Sequence, residues 1–200
     1  MSISTYAELK SAIADFLNRD DLTSVIPTFI SLAEARIARD LRHWKQEKRV
    51  TTAVDERYEN LPNDWLELIQ IKLTDGGNVT SISYAEMERM RVASPAAGKP
   101  KYVSINADQI ELYPTPDASY DLTIVYYARI PALSDADPDN WLLVDAPDVY
   151  LYGALINSAP YLADDQRAQI WGTLYGSAME GLRVENERAK FAGPVSMRIR

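Results

Sequence analysis

The apolar positions near the N-terminus recur every three or four residues, which predicts two helices. Thr5 and Glu8 form a capping-box pair ahead of the first run, and the first predicted helix spans about residues 5–18. The second is expected to begin near Ser24 and to tolerate Pro27 in its first turn, where backbone N–H groups have no intrahelical partner. Its apolar stripe consists of Ile26, Ile30, Ala33, Ile37 and Leu41.

The centre of the chain has a different pattern, because from about residue 47 to 130 the apolar period changes toward two. This spacing predicts a region that is mostly β-sheet, with one short helix at residues 84–92. The predicted strands include an alternating run at 50–54, an apolar run at 65–73, and three strands at 101–105, 109–113 and 120–128. We interpret the last three as an antiparallel meander, whose final strand has Tyr120, Leu122, Ile124 and Tyr126 on one face.

The sequence PTPD, residues 114–117, separates the last two of these strands. Pro114 and Pro116 have no N–H to donate to a strand ladder, and the proline after Thr115 pushes that residue toward an extended conformation. Pro116 and Asp117 suit the centre of a type I turn. We therefore predict a sharp hairpin end with a structural role, which sets strand register and limits stray strand pairing.

Helical spacing returns in the C-terminal third. Asp145 is a candidate N-cap for a helix that has Pro147 in its first turn, runs to about Ser158 and is broken by Pro160. A last, long helix is predicted from about residue 163 to 190. Its apolar side consists of Trp171, Leu174, Tyr175, Ala178 and Leu182.

Gly172 and Gly176 lie about one turn apart within this last predicted helix. Glycine inside a helix costs about 1 kcal/mol relative to alanine, so a reason to keep it is expected. We predict that the two glycines let another helix approach closely, and tolerated flexibility is the alternative.

Together these patterns predict an α+β fold in which the N- and C-terminal segments form a helical bundle and the centre is an antiparallel β-rich insertion. The predicted bundle comprises residues 1–46 and 145–192, and the insertion comprises residues 47–144. Residues 193–200 form a C-terminal tail.

The tail ends in the short basic sequence VSMRIR, in which Val195, Met197 and Ile199 would share one face of a strand. We hypothesise that the tail becomes ordered by adding to the surface of a partner. A frayed terminus is the alternative, because chain ends are often loose.

The composition excludes several kinds of chemistry. The chain of 200 residues has no cysteine and a single histidine, which excludes disulfides, thiolate zinc sites and multi-histidine metal sites within one chain. It has neither an apolar run of the roughly 18 residues that span a bilayer nor a signal-peptide pattern at its start. We therefore expect a soluble, unexported protein without membrane contact, and we assign His43 no functional role.

Charge is distributed unevenly along the chain. The net charge of −8 argues against non-specific wrapping of nucleic acid, which depends on Lys and Arg that neutralise phosphate. Residues 34–49 carry six Lys or Arg against three acids, whereas residues 135–148 carry five Asp and no base. These segments could mate between copies of the chain, or each could be an ordinary solvated face.

The remaining chemical motifs are weak. Asp135, Asp137 and Asp139 resemble the start of a calcium loop, but Asn140 and Ala146 stand where that loop needs a glycine and a bidentate glutamate. Phosphate-loop and nucleophile-elbow motifs are absent from the sequence. We therefore expect no metal and no cofactor.

Two functional alternatives stay open at the level of the residues. A carboxylate hydrolase needs only two carboxylates at a set separation, and Glu67 beside Trp65 is a candidate for one of them. A DNA-binding module could use the basic residues between Arg36 and Arg49, although acidic residues interleave with them.

Four segments of the chain carry a family resemblance, and they span about residues 29–156. They are FISLAEARIARDLR, YENLPNDWLELIQI, GKPKYVSINADQIELYPTPDASYDLTIVYYARIPALSD and NWLLVDAPDVYLYGAL. The most telling pieces are LPNDWLE, ELYPTPD and the WLL run before PDVYLYGAL. In their order and spacing they resemble the head-to-tail adaptor proteins of tailed bacteriophages, also called connector or head-completion proteins, such as the tail tubular protein A of podoviruses.

The resemblance implies a structural virion protein of the head–tail interface, present in the host cytoplasm during assembly, and not an enzyme. Members of this family form a ring, typically dodecameric, below the portal protein of a filled capsid. The ring helps to retain packaged DNA, which passes through its lumen without sequence-specific binding, and supports the tail or nozzle protein. The family fold is a helical bundle from both chain ends with a β-rich insertion.

We expect the partner-binding residues to lie on the second predicted helix and in the tail. The resemblance implies that the C-terminal segment reaches toward the portal. The candidate residues are Arg36, Arg39, Arg42, Val195, Met197, Arg198, Ile199 and Arg200.

Overall fold

The computed structural model of the chain describes residues 3–162 and 165–191. It confirms the predicted α+β class, because helices from both ends of the chain pack together and the β-sheets come from the sequence between them. Residues 45–129 form one compact unit, called here the β unit, and the segments before and after it form another, the helical unit. The predicted insertion extended to residue 144, whereas the β unit ends at Arg129.

Helices occupy both ends of the described chain, and the strands, with one helix among them, occupy its centre. The helices are α1 (Tyr6–Leu17), α2 (Ile26–Asp40), α3 (Tyr84–Ala93), α4 (Trp141–Asp145), α5 (Pro147–Leu162) and α6 (Asp165–Lys190). The strands are β1 (Glu47–Val54), β2 (Tyr58–Asn60), β3 (Trp65–Leu73), β4 (Thr80–Ser81), β5 (Tyr102–Asn106), β6 (Gln109–Tyr113) and β7 (Tyr120–Ala128). Helix α3 belongs to the β unit, and the other helices belong to the helical unit.

Helix α1 begins with the capping box that the sequence predicts. The Thr5 hydroxyl accepts a hydrogen bond from the Glu8 N–H at 3.3 Å, and the Glu8 carboxylate accepts one from the Thr5 N–H at 3.0 Å. Hydrogen bonds from Ser4 and Thr5 lower the pKa of Glu8. The helix ends at Asn18, whose φ of 52° is the left-handed conformation that closes many helices.

Helix α5 forms the centre of the helical unit and packs against α1, α2, α4 and α6. The predicted apolar stripe of α2 is buried in full, which places that face in the shared core. At Gly153 of α5, a Cβ atom would lie 3.1 Å from the Ala33 Cβ and 3.4 Å from the Tyr175 ring. Glycine therefore lets α2 and α6 approach α5 closely at this level.

The prediction that Gly172 and Gly176 admit another helix is wrong within the described part of the chain. Both glycines are exposed, and a Cβ built on either would meet no described atom within 4 Å. The reason is rotational: the buried residues Trp171, Tyr175 and Met179 of α6 point to another side of the helix.

The helix boundaries predicted around residues 145–160 also need correction. Asp145 is the last residue of α4, a short helix that the sequence analysis missed because five residues are too few for a periodic pattern. Pro160 does not break α5, which continues to Leu162. The proline lies in the last turn, where it removes only its own hydrogen bond to the carbonyl of Ile156.

The β unit contains two sheets that share one apolar core. One sheet is antiparallel with strand order β1-β7-β3, and the other has strand order β2-β6-β5-β4, in which β4 runs parallel to β5. In the first sheet Leu122 lies opposite both Thr52 and Leu73. The core consists of Val54, Leu61, Ile71, Leu73, Val79, Val103, Ile110, Leu112, Leu122, Ile124, Tyr126 and Ala128.

The predicted three-stranded meander is correct for β5 and β6 and wrong for β7. Strands β5 and β6 form a hairpin, but β6 and β7 belong to different sheets, so PTPD connects two sheets and is not a hairpin turn. Thr115 instead pairs with the loop that follows α3. Its N–H donates to the Ala96 carbonyl at 3.1 Å, and its carbonyl accepts from the Gly98 N–H at 2.8 Å. The prolines mark where β6 ends, and they carry no information about the next pairing partner.

Candidate interaction surfaces

The predicted basic patch on α2 does not form a single free surface. The Arg36 guanidinium lies 3.7 Å from the Asp40 carboxylate and covers the Tyr175 ring at 4.9 Å. The Arg42 guanidinium donates to two backbone carbonyls at the C-terminal end of α2, at 3.0 and 2.7 Å. Arg39 is exposed. Arg36 and Arg42 thus stabilise the helical unit, and Arg39 is the most accessible of the three.

The acidic segment is accessible to a partner. Its aspartates are all exposed, and they are Asp135, Asp137, Asp139, Asp145 and Asp148. Lys10 of α1 anchors the segment through an ion pair of 2.8 Å with Asp135, and the Tyr6 N–H donates to the Pro138 carbonyl at 2.6 Å. The result is a negative surface held against α1.

Two polar side chains position the loop that carries this acidic segment. Asn140 caps α4 and donates hydrogen bonds of 2.8 Å to the Pro131 carbonyl and the Tyr150 hydroxyl. The Glu34 carboxylate accepts the Leu133 N–H at 2.7 Å. Glu34 is half-buried and Tyr150 is buried, and this burial raises the pKa of both side chains.

One exposed side of α6 carries apolar and small residues. Ile170 is 60% exposed, Leu174 39% and Val184 37%. Leu174, which was predicted to share one apolar side of the helix with Trp171, Tyr175 and Leu182, is exposed where those three are buried. With Ser177 and Gly181, which are also exposed, Ile170, Leu174 and Val184 are spaced by four, three, four and three positions, which aligns them along one side of a helix. We call these five residues the α6 outer face.

Helix α2 has a similar exposed side. Leu32 is 49% exposed, and Thr28, Ala35 and Arg39 are exposed at spacings of four, three and four positions. We call these four residues the α2 outer face. Arg39 was predicted from the sequence, but neither outer face was, because the buried apolar stripe is the stronger pattern in each helix. A search for a second stripe with alternating spacings of three and four would have found them.

A buried ion cluster holds α3 to the second sheet of the β unit. Glu111 of β6 is fully buried, and one of its carboxylate oxygens lies 2.6 Å from Arg57 and 2.8 Å from Arg91. Arg91 of α3 also donates to the Leu112 carbonyl at 3.0 Å. Arg57 reaches Glu88 of α3 at 3.2 Å. The carboxylate is neutralised by two guanidiniums, an arrangement that fits a structural tie.

Comparison with known protein families identifies the family of the chain that carries these surfaces. A model of the SU10 adaptor protein family matches residues 4–198, which is nearly the whole chain. The chain belongs to this family. No curated protein matches it. The protein is thus a phage adaptor, with a structural role and not a catalytic one.

The carboxylates of the adaptor give no support to the hydrolase alternative. Among the acids whose side chains the structure describes, Glu111 is the only one that is buried, and its two arginine partners hold it in place. Glu67, the acid considered for hydrolysis, is exposed. The described residues therefore contain no pair of buried acids of the kind that acid–base hydrolysis requires.

The described ranges of the adaptor contain neither a metal-binding cluster nor a membrane-spanning helix. Within them, no three His, Cys, Asp or Glu side chains come together in a way that could hold a metal ion. No described helix has the length and apolarity needed to cross a membrane. His43 is buried and stacks on Trp141 at 5.2 Å between ring centroids, which makes it a packing residue of the adaptor.

The tail candidates Val195, Met197, Arg198, Ile199 and Arg200 lie outside the described residues. The structure therefore brings together only the α2 part of the predicted partner-binding set. Of that part, Arg39 is on an exposed face, and Arg36 and Arg42 contribute to the fold.

Proposed function

We propose that this adaptor forms a ring that joins the portal protein to the tail or nozzle protein and helps to retain packaged DNA. Its place in the virion would be the head–tail interface, as for the tail tubular protein A of podoviruses. Membership of the adaptor family over residues 4–198 is the observation that carries the proposal. The α+β architecture, with helices from both chain ends, supports it.

The proposed mechanism is mechanical. The apolar core around α5 makes the helical unit of each copy stiff, and closure of a ring requires that unlike surfaces of adjacent copies meet. With a net charge of −8 and five exposed aspartates in one segment, the ring would let DNA pass through its lumen without holding it.

We further propose that residues 193–200 bind the portal. The segment is basic and alternates apolar with polar residues, which suits addition to a partner surface. Deletion of residues 194–200 is expected to weaken portal binding and to leave the number of chains in the free protein unchanged. Equal portal binding by the shortened and the full chain would contradict this part of the proposal.

The mass of the full chain in solution, measured by light scattering with and without its portal ring, tests the proposed function. We expect a multimer of the chain to elute with the portal. A monomer that never associates with the portal would contradict the proposal. A monomer that binds duplex DNA with a steep salt dependence would instead favour the DNA-binding alternative.

A further inference from the structure

The α6 outer face has the pattern of a helix–helix contact that the described chain leaves unused. Its residues run for about 21 Å along the helix axis at 1.5 Å per residue. Large side chains, Ile170 and Leu174, lie at one end, and small ones, Ser177 and Gly181, follow in the middle. A Cβ built on Gly181 would meet no described atom within 4 Å. The small residues between large ones leave a gap on α6 that large side chains of another helix can enter.

The α2 outer face has a matching pattern of large and small residues. Its exposed Leu32 is followed by the small residue Ala35, so it offers one large side chain and one gap. The two faces could therefore interlock as knobs and holes, with Leu32 entering near Ser177 and Gly181. Within a single described chain neither face is covered, since the residues that form them are exposed.

Charge favours contact of the α6 outer face with the α2 outer face over contact between two α6 outer faces. Glu180 and Glu187 are exposed along one flank of the α6 outer face. Arg183 lies between them, 3.5 Å from Glu180, so the flank keeps a net negative charge. Two α6 outer faces in contact would bring these acids together, which is unfavourable. The α2 outer face instead presents Arg39, with Arg36 beside it.

We propose that the α6 outer face of one copy binds the α2 outer face of a second copy. The contact joins unlike surfaces, which is the kind of interface that a closed ring needs, and so it rests on the proposed ring and specifies where adjacent copies meet. Apolar interlocking of Ile170, Leu174 and Leu32 excludes water, and Arg39 approaches the acidic flank of α6.

The natural absence of cysteine makes cross-linking a direct test. Ala35→Cys and Ser177→Cys place single thiols at the centres of the two outer faces, at exposed positions. The two full-length variants are mixed under the conditions in which the wild type forms multimers, alone or on the portal, and treated with a short thiol-reactive cross-linker. We expect covalent dimers in the mixture and none from either variant alone.

A matched control uses Arg183→Cys in place of Ser177→Cys. Position 183 is exposed on α6 but lies about 120° around the helix from position 177. The mixture of Ala35→Cys with Arg183→Cys is expected to give few or no dimers.

Each outcome has a distinct meaning. Multimers that form without a cross-link between positions 35 and 177 would overturn this inference and leave the proposed ring intact. Dimers from Ser177→Cys alone would show contact between two α6 outer faces, which also overturns it. A chain that stays monomeric with and without the portal would overturn both the inference and the proposed function.

Charge reversal gives an independent measurement. Arg39→Glu is expected to weaken multimer formation on the order of tenfold, as for loss of a favourable contact between charged groups. Combining it with Glu180→Lys and Glu187→Lys is expected to restore assembly, because the charges are then exchanged across the interface. Failure of the combined variant to recover, with its fold intact by circular dichroism, would count against the proposed contact.

Discussion

The helical unit and the β unit bury polar groups in different ways. In the helical unit the buried polar side chains include neutral ones, such as Asn140 and Ser158, which hydrogen-bond to backbone or hydroxyl oxygens. In the β unit a full carboxylate, Glu111, is buried between two arginines. Both units have an apolar core, but the β unit adds a buried charged tie whose remaining members are left unpaired if one member is removed.

The largest expected effect is at this tie. Glu111→Gln keeps the volume of the side chain but leaves Arg57 and Arg91 without their shared counter-charge. We expect the free energy of unfolding of the β unit to fall by about 4 kcal/mol. Urea unfolding followed by amide hydrogen exchange measures the loss and locates it in α3 and β6.

Glu88→Gln is the matched control for the tie. Glu88 is 38% exposed and meets Arg57 at 3.2 Å, so its loss is expected to cost at most about 1 kcal/mol. Equal losses in the two variants would show that burial of the charge does not matter here.

The corresponding weak point of the helical unit is steric. Gly153→Leu would force a side chain between α5, Ala33 and Tyr175, where even a Cβ atom is close to its neighbours. We expect a loss of about 3 kcal/mol from overpacking, read as a lower urea midpoint. Gly176→Leu on the exposed side of α6 is the control and is expected to be neutral or to gain up to about 1 kcal/mol from helix propensity. A stable Gly153→Leu variant would contradict the packing argument.

The β unit should also weaken in alkali through Tyr126. Burial and a hydrogen bond of 2.8 Å to Asp64 raise the pKa of Tyr126 from 10.0 to about 12. A pKa raised by folding stabilises the fold fully below the unfolded value, and that contribution is lost as the pH rises through the folded value. We therefore expect stability to fall between about pH 10 and pH 12, and less so in Tyr126→Phe. An equal fall in both proteins, measured by urea unfolding across this window, would exclude Tyr126 as a cause.

The smallest expected effect compares two non-glycine residues of the described chain that have a left-handed backbone conformation. Ala107 has a φ of 55° in the β5–β6 hairpin, and Asn18 has a φ of 52° after α1. Alanine tolerates this conformation poorly, so Ala107→Gly is expected to raise stability by about 1 kcal/mol. Asparagine adopts it more readily, so Asn18→Gly is expected to change the free energy of unfolding by only a few tenths of a kcal/mol. A larger gain at Asn18 than at Ala107 would contradict this reasoning.

The sequence predicts where helices and strands lie better than it predicts which strands pair. A local signal was sufficient for the start of α1, where the Thr5–Glu8 capping box joins neighbours in the chain, but not for the start of α5, where Asp145 was wrongly predicted as the cap. The five longer strands were also located closely, yet the short strands β2 and β4 were missed and the pairing of β7 was wrong. Its partners β1 and β3 are far from it in sequence, and side-chain alternation identifies a strand face without naming its neighbour.

The candidate surfaces show the same limit. Sequence reasoning located the basic residues of α2, but it could not show that Arg36 would cover Tyr175 of α6, since that contact joins residues far apart in the chain. Nor could it show that the close-approach glycine is Gly153 and not Gly172 or Gly176. The rotation of each helix about its own axis decides both, and only the packed structure supplies it.

Single-particle electron microscopy of the full chain mixed with its portal protein tests whether adaptor copies assemble as a ring on the portal. We expect a closed ring of adaptor copies, coaxial with the portal, in which α6 of each copy lies against α2 of its neighbour. Portals without bound adaptor beside separate single copies of this chain would contradict this expectation.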